Sequence, residues 1–227
     1  MSKSARTLLA ATLVSMMLCA AGCAIPAWFA SQFGPKQKIA AKFKPPKGKV
    51  VLVLVDDMLS PVDYEPIKIH LTEMLNEQLT ANKVAAKTIP YVRIGEFVGA
   101  TPDFNSLAVS EVGNKLGADI VLYVQIDEFG LRDQAASQEL WKGRLQTTVR
   151  LVDVREGRLW PTDRPEGHMV SPMAKTRTVS DNSQTRAEIV SKALAAETAD
   201  RIAKYFYGHK TPYEGAYGDK SNSITTD

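Results

Sequence analysis

The stretch Val50–Val55 reads VVLVLV, six aliphatic residues in succession with no polar residue among them. Such a run is typical of a β-strand that is buried on both faces, as in a sheet covered by helices. The stretch Asp119–Ile126, which reads DIVLYVQI, has the same aliphatic character and predicts a second buried strand. We therefore expect a domain that begins at Lys49 and has Val50–Val55 as its central first strand.

Two helices and one further strand are predicted between these two runs. Apolar residues at the 3.6-residue period indicate a helix over 66–80, with Pro66 in its first turn. Val84–Ile89 indicates a strand, and residues 105–116 indicate a second helix that ends before Gly117. The order β-α-β-α-β is typical of parallel strands joined by right-handed crossovers.

The pattern changes in the second half of the chain, because Leu140–Val154 alternates apolar and polar side chains. This alternation is typical of a half-buried strand in antiparallel pairing. The apolar side holds Leu145, Val149 and Leu151, and the polar side holds Lys142, Arg144 and Arg150. Glu156 and Gly157 then predict a turn into Arg158–Trp160, which makes a hairpin.

Two more elements complete the predicted domain. His168–Val179 indicates a strand, which Pro172 makes irregular or places at an edge of the sheet. Arg186–Phe206 carries apolar residues at helical spacing, so we expect a long last helix that packs on the sheet. The predicted fold class is therefore α/β (α+β), a mixed sheet with a β-α-β-α-β start followed by antiparallel strands and a long C-terminal helix.

The first residues of the chain have the pattern of a bacterial export signal. Lys3 and Arg6 precede a largely apolar run at Leu8–Leu18, and small residues follow up to Cys23. This order of basic, apolar and small residues defines a secretory signal. The residues Ala20-Ala21-Gly22-Cys23 resemble the lipobox of bacterial lipoproteins. The resemblance implies that residues 1–22 are removed and that Cys23 carries the lipid, with acyl chains such as palmitate.

The sequence pattern also predicts four segments of the chain and the cellular location of the protein. Residues 1–22 are the expected signal peptide, 23–48 a lipid-anchored tether rich in Lys and Pro, 49–207 a single α/β domain, and 208–227 a disordered tail. In the sorting rule of such lipoproteins, Asp after the cysteine retains the protein at the inner membrane. Ala24 occupies that position, so we expect a lipid-anchored protein of the outer membrane that faces the periplasm.

Charge and cysteine content exclude several classes of function. Two of the 28 basic residues lie in the expected leader and six in residues 24–49, so residues 50–227 hold 20 basic and 25 acidic residues. A net negative domain argues against nucleic-acid binding, which needs a basic face. Cys19 leaves with the leader and Cys23 carries lipid, so no thiol is left for catalysis, a disulfide or a metal. The histidines His70, His168 and His209 are scattered, and we expect no metal ligand among them.

Acidic residues at the ends of the aliphatic strands are the candidates for a ligand site. Asp56 and Asp57 follow the first strand, and Asp127 and Glu128 follow the strand at Asp119–Ile126. Ligands gather at strand carboxyl ends in open α/β sheets. An acidic pair there could bind magnesium, as in a response-regulator receiver, or act as a glycosidase pair. Since no nucleophile elbow or phosphate loop accompanies these acids, we expect no catalytic residue and no cofactor.

A family resemblance rests on the order of the elements and on Gly117–Val124, which reads GADIVLYV after a helix. Both are similar to the periplasmic α/β domain of envelope proteins such as CsgG, LpoB and the amino-terminal domain of TolB. The resemblance covers about residues 49–206. It implies a non-enzymatic docking or accessory module that binds a periplasmic or outer-membrane protein. An oligomeric subunit of a secretion or transport complex is the alternative, and an envelope hydrolase that uses Asp56, Asp57 or Asp127 is a third.

Overall fold

The computed structural model describes residues 36–131, 140–178 and 183–212. Cys23 and the expected leader lie outside these residues. The described chain forms two compact units, one of residues 41–208 and one of residues 36–40 with 209–212. Among the helices in the described ranges, none combines the length and the apolar character needed to cross a bilayer.

The first and last strands belong to the smaller unit, and the other helices and strands belong to the larger one. In chain order, the elements are β1 (Lys36–Ile39), β2 (Val50–Asp56), α1 (Pro66–Ala81), β3 (Lys87–Thr88), α2 (Tyr91–Ala100), a 3₁₀ turn (Phe104–Ser106), α3 (Val109–Lys115), β4 (Ile120–Gly130), β5 (Leu140–Asp153), β6 (Gly157–Trp160), β7 (His168–Thr178), α4 (Ser183–Lys204) and β8 (His209–Pro212).

The sheet of the larger unit has the strand order β3-β2-β4-β5-β6, with β7 also paired to β5. Strand β2 is parallel to β3 and to β4, and Val53 lies opposite Leu122. Strand β5 is antiparallel to β4, β6 and β7. This mixed sheet, followed by the long helix α4, confirms the predicted fold class. The edge position expected for the strand that contains Pro172 is also found, since β7 pairs with β5 alone among the described strands.

Helices cover the two faces of the sheet unequally. Helices α1 and α4 pack on one face, where Val53 of β2 and Leu122 of β4 meet Leu75 and Leu194 in one buried cluster. Helices α2 and α3 pack on the other face, in a smaller cluster around Leu52, Leu54, Ile94, Val112 and Val121. Strand β5 alternates as predicted, with Leu145, Val149 and Leu151 buried and Arg144 exposed.

The elements between β2 and β4 differ from the sequence prediction. The strand expected over Val84–Ile89 is reduced to Lys87–Thr88, and helix α2 follows it where no helix was expected. Gly95 and Gly99 disfavour a helix in this stretch, because glycine weakens helices. Burial of Ile94 on the sheet overrides that preference, and both glycines lie on the exposed side of α2. The helix expected over residues 105–116 is divided into the 3₁₀ turn and the shorter α3.

Regular structure also occurs in the two stretches predicted to be a tether and a disordered tail. Strand β1 pairs with β8 in an antiparallel ladder. About 170 residues separate the two strands along the chain, and no local pattern predicts their pairing. Within the larger unit, the N–H of Phe43 donates to the carbonyl oxygen of Tyr205 at 3.1 Å. The Phe43 ring packs on the buried cluster of α1 and α4, so the larger unit begins ahead of Lys49.

Close contact between β5 and α4 gives a testable prediction at Gly143. A Cβ atom there would lie 2.6 Å from the side chains of both Val190 and Leu194. We expect Gly143→Val to lower the free energy of unfolding by about 1–3 kcal/mol, the usual cost of overpacking. Gly130→Val is the control, because nothing lies within 4 Å of its Cβ position. Urea denaturation measures both, and equal stability of the two variants would contradict the packing described.

Candidate functional site

A cleft of about 410 Å³ lies at the carboxyl end of β2 in the larger unit. Its floor is the end of β2 and the neighbouring part of β4, and its walls are α2, the 3₁₀ turn and the start of α3. The apolar lining includes Leu54, Ile94, Val98, Phe104, Leu107 and Val112. This volume lies within the range of ligand pockets, about 300–1,000 Å³. The position is the strand end where open α/β sheets hold ligands.

Asp56 closes the polar end of the cleft and is hydrogen-bonded within the domain. Its Oδ2 accepts a hydrogen bond from the Tyr123 hydroxyl, and its Oδ1 accepts from the N–H of Met58 at 3.1 Å. Burial, together with the Asp56 carboxylate, raises the pKa of Tyr123, so the phenol stays protonated and keeps donating. The Arg150 guanidinium lies 4.7 Å from the centre of the Tyr123 ring. These contacts join β2, β4 and β5 beneath the polar end of the cleft.

Asp57 fixes the loop that follows β2. Its Oδ2 accepts from the N–H of Val62 at 3.1 Å, and its Oδ1 accepts from Lys68 Nζ at 3.0 Å. Burial alone would raise the pKa of Asp57, but these hydrogen bonds and the Lys68 charge outweigh burial and lower it. Lys68 also contacts Glu65 at 2.8 Å, and the two carboxylates raise its pKa against the effect of burial. The loop of residues 57–62 is thus held to α1.

Asp127 does not join the other two acids at the cleft. Strand β4 continues to Gly130, so Asp127 lies inside the strand, next to a bulge at residues 126–128. Its Oδ2 accepts from Thr148 Oγ1 at 2.7 Å, and its Oδ1 accepts from Gln125 Nε2 at 2.9 Å. Glu128 pairs with Arg144 at 2.8 Å. The expectation that Asp127 ends its strand is therefore wrong, because antiparallel pairing with β5 extends β4.

An apolar lip borders the cleft, made of Met58 and Leu59 in the loop after β2 and Val98 of α2. Met58 is 60% exposed, Leu59 77% and Val98 41%. Met58 and Val98 also line the cleft, and Leu59 adjoins Met58 along the chain. The residues of the lip were not among the predicted site residues, although Met58 and Leu59 directly follow an acidic pair, which is a usable signal. The lip lets an apolar group reach the cleft from solvent.

The arrangement is suited to binding. Both carboxylate oxygens of Asp56 and of Asp57 accept hydrogen bonds from donors within the domain, as is usual for partly buried polar groups. In the described ranges, no cluster of three or more histidine, cysteine or acidic side chains could hold a metal ion. His70 Nδ1 lies 3.3 Å from Ser191 Oγ, and His168 Nε2 accepts from Lys42 at 2.9 Å. What the cleft offers is an apolar cavity beside negative charge.

Comparison with solved structures finds bacterial lipoproteins and a dodecameric bacterial protein. Lipoprotein GNA1162 from Neisseria meningitidis is 17% identical, covers 70% of this chain and 99% of its own, and has a TM-score of 0.43. The PelC dodecamer from Paraburkholderia phytofirmans is 11% identical over 77% of this chain and 99% of its own, with a TM-score of 0.42. A minor lipoprotein from Acinetobacter baumannii is 13% identical over 68% and 89%, with a TM-score of 0.38.

No family model and no curated protein matches the chain. Because the identities and TM-scores of the solved structures are low, we infer nothing about function from them. None of the three is CsgG, LpoB or TolB, so the resemblance to those proteins stays a prediction.

The hydrogen bonds of Asp57 predict a pH-dependent stability. We expect Asp57→Asn to lower the free energy of unfolding by about 1 kcal/mol at neutral pH, because the charged hydrogen bond to Lys68 is lost. The folded pKa of Asp57 lies below its ordinary value of 3.8. Its contribution is therefore full above pH 3.8 and is lost as the pH falls through the folded pKa.

Denaturation of the parent and of Asp57→Asn across acid pH measures this effect. The two stability curves should converge on acidification. Asp63→Asn is the control, since Asp63 lies exposed in the same loop region, and its curve should follow the parent. A constant gap between the parent and Asp57→Asn down to strongly acid pH would contradict the assignment.

Proposed function

We propose that this chain is an envelope lipoprotein that is anchored through Cys23 and binds another envelope protein through the cleft at the end of β2. In this proposal the α/β domain faces the periplasm, from the outer membrane, and acts as a docking or accessory module without catalysing a reaction. The observation that carries the proposal is the apolar cleft with its exposed lip.

The sequence of the amino terminus supports the anchor. A basic start, an apolar run and Ala20-Ala21-Gly22 precede Cys23, and these features together are typical of an exported protein. Acyl chains on Cys23 would supply the membrane attachment, since stable anchoring needs more than one chain or a second signal. Ala24 favours the outer membrane under the sorting rule for such lipoproteins.

The lip supports binding of a protein rather than enclosure of a small molecule. Leu59 is 77% exposed and Met58 60% exposed, so both present apolar surface outside the cavity. Clustered apolar side chains around a groove are typical of interaction sites. Since the loop that carries them is tied to α1 through Asp57 and Lys68, the lip is held in place before a partner binds, which lowers the entropic cost of association.

Charge indicates the chemistry of the partner. Asp56, Asp57 and Glu65 line the polar end of the cleft, and Lys68 is the one basic residue among the described residues that line it. The polar end therefore carries a net negative charge. We propose that the bound segment places an apolar side chain in the cleft and a lysine or arginine next to Asp56. Complementary charge of this kind fixes orientation and excludes other partners.

The anchor is tested by the mass of the protein purified from native envelopes. We expect a chain that starts at Cys23 and carries acyl chains, and we expect Cys23→Ser to remain unprocessed and to lack added lipid. Release of the unmodified parent chain into the soluble periplasmic fraction would contradict the anchor.

The cleft is tested by photo-crosslinking in the native host, with benzoylphenylalanine at Leu59. We expect one crosslinked envelope protein whose yield falls about tenfold or more in Val98→Asp, as for loss of a central apolar anchor. Met169→Asp is the matched control, because Met169 is 58% exposed on β7 and does not line the cleft. A crosslink that survives Val98→Asp would contradict docking in the cleft.

Two further results would distinguish docking from the alternatives, an oligomeric subunit and a hydrolase. A crosslink between two copies of this chain, with a large homomeric mass, would favour an oligomeric subunit of a secretion or transport complex. Loss of a hydrolytic activity in Asp56→Asn with an unchanged fold would favour an enzyme. Either result would overturn the docking proposal.

A further inference from the structure

The two-stranded ladder of β1 and β8 places three lysines on one of its faces. Lys36 and Lys38 are two residues apart on β1, so they point to the same side. Lys38 lies directly opposite Lys210 on β8, and residues in direct register share a face. All three side chains are exposed. We call the surface of Lys36, Lys38 and Lys210 the basic face.

The basic face is unfavourable for the ladder in isolation. Like charges directly opposite each other destabilise a strand pair, and a ladder of two strands is marginally stable in water. Among the residues that the structure describes, no carboxylate forms an ion pair with Lys36, Lys38 or Lys210. The pairing is therefore expected to gain stability from an external negative charge.

We infer that the basic face binds the anionic headgroups of the membrane that holds the anchor. Twelve residues separate Cys23 from Lys36, and even a fully extended chain of that length spans only about 40 Å. These twelve residues carry no acidic side chain to compete for the lysines. Lipid on Cys23 thus keeps the basic face within reach of headgroups, and each lysine near an anionic surface adds roughly fivefold in affinity.

This inference rests on the proposed anchor and adds a second membrane signal to it. An acyl anchor is strengthened by a basic patch beside it. The same interaction would neutralise Lys38 and Lys210 together, so membrane contact and formation of the ladder would support each other. A chain whose ladder forms at the bilayer would leave the membrane less readily than the lipid alone allows.

The test is hydrogen–deuterium exchange of the acylated full-length mature protein in vesicles. One preparation contains phosphatidylcholine alone, and the other also contains anionic phosphatidylglycerol. We expect amide exchange in β1 and β8 to slow about tenfold or more in the anionic vesicles. The effect should disappear at an ionic strength of about 1 M, where the screening length is about 3 Å. Equal exchange in the two preparations would overturn the inference.

Charge variants of the ladder sharpen the result. Lys38→Glu would face Lys210 as an opposite charge, so its ladder should exchange slowly in neutral vesicles and gain little from anionic lipid. Lys87→Gln is the matched control, an exposed lysine on β3 of the other unit, and should behave as the parent does. A lipid response that is retained in Lys38→Glu would contradict the role of the basic face.

The acidic residues that follow β8 provide the competing explanation. If Glu214 or Asp219 neutralises the lysines, Glu214→Gln with Asp219→Asn should speed exchange in β1 and β8 equally in both preparations, which would overturn the inference. The mass of the reconstituted chain reports acylation separately. An unacylated Cys23 would overturn the anchor, whereas an acylated chain whose ladder ignores lipid charge would overturn only the membrane role of the ladder.

Discussion

Burial of β2 on both faces is the constraint on which the larger unit depends. Leu52 and Val53 point to opposite sides of the sheet, and both are fully buried. Each such side chain contributes about 1.5–3 kcal/mol when it leaves water, so a strand of six aliphatics demands cover on both sides. Helices α1 and α4 provide one cover, and α2 and α3 provide the other. The cleft lies at the carboxyl end of β2.

The two acids at the end of β2, Asp56 in the strand and Asp57 directly after it, lie at the transition from buried strand to exposed loop. Asp56 accepts from Met58 and Tyr123, and Asp57 accepts from Val62 and Lys68. These bonds satisfy backbone and side-chain donors that would otherwise lose water without a partner. Their consequence is a loop that presents Met58 and Leu59 to solvent beside an apolar cavity. Negative charge and apolar surface therefore meet at one place for structural reasons, and the docking proposal rests on that combination.

Charge is distributed unevenly along the chain. One proposal rests on a basic surface and the other on an acidic one. The lysines of β1 and β8 form the basic face of the small unit, whereas the lining of the cleft is net negative. A basic face fits an anionic bilayer, and an acidic cleft disfavours one. Under the two proposals, one surface of the chain would bind the membrane and another would bind a protein partner.

Local pattern in the sequence determined the fold class, because burial on two faces and burial on one face leave different traces along a strand. The aliphatic run of β2 and the alternation of β5 could be recognised from neighbouring residues alone. The position of Asp56 and Asp57 at the end of β2 was likewise predictable, since it depends on the end of one strand alone. The lipobox at Cys23 is also a local signal, and it stays a prediction.

Tertiary structure decided the features that distant residues create together. Helix α2 forms against the glycine preference of its own sequence because Ile94 is buried on the sheet, and without α2 the cleft would lack a wall. Asp127 was expected at a strand end, but pairing with β5 carries β4 past it. Lys38 lies opposite Lys210, although the two residues are far apart in the chain. Contacts of this kind depend on the folded packing and register, which no short stretch of sequence contains.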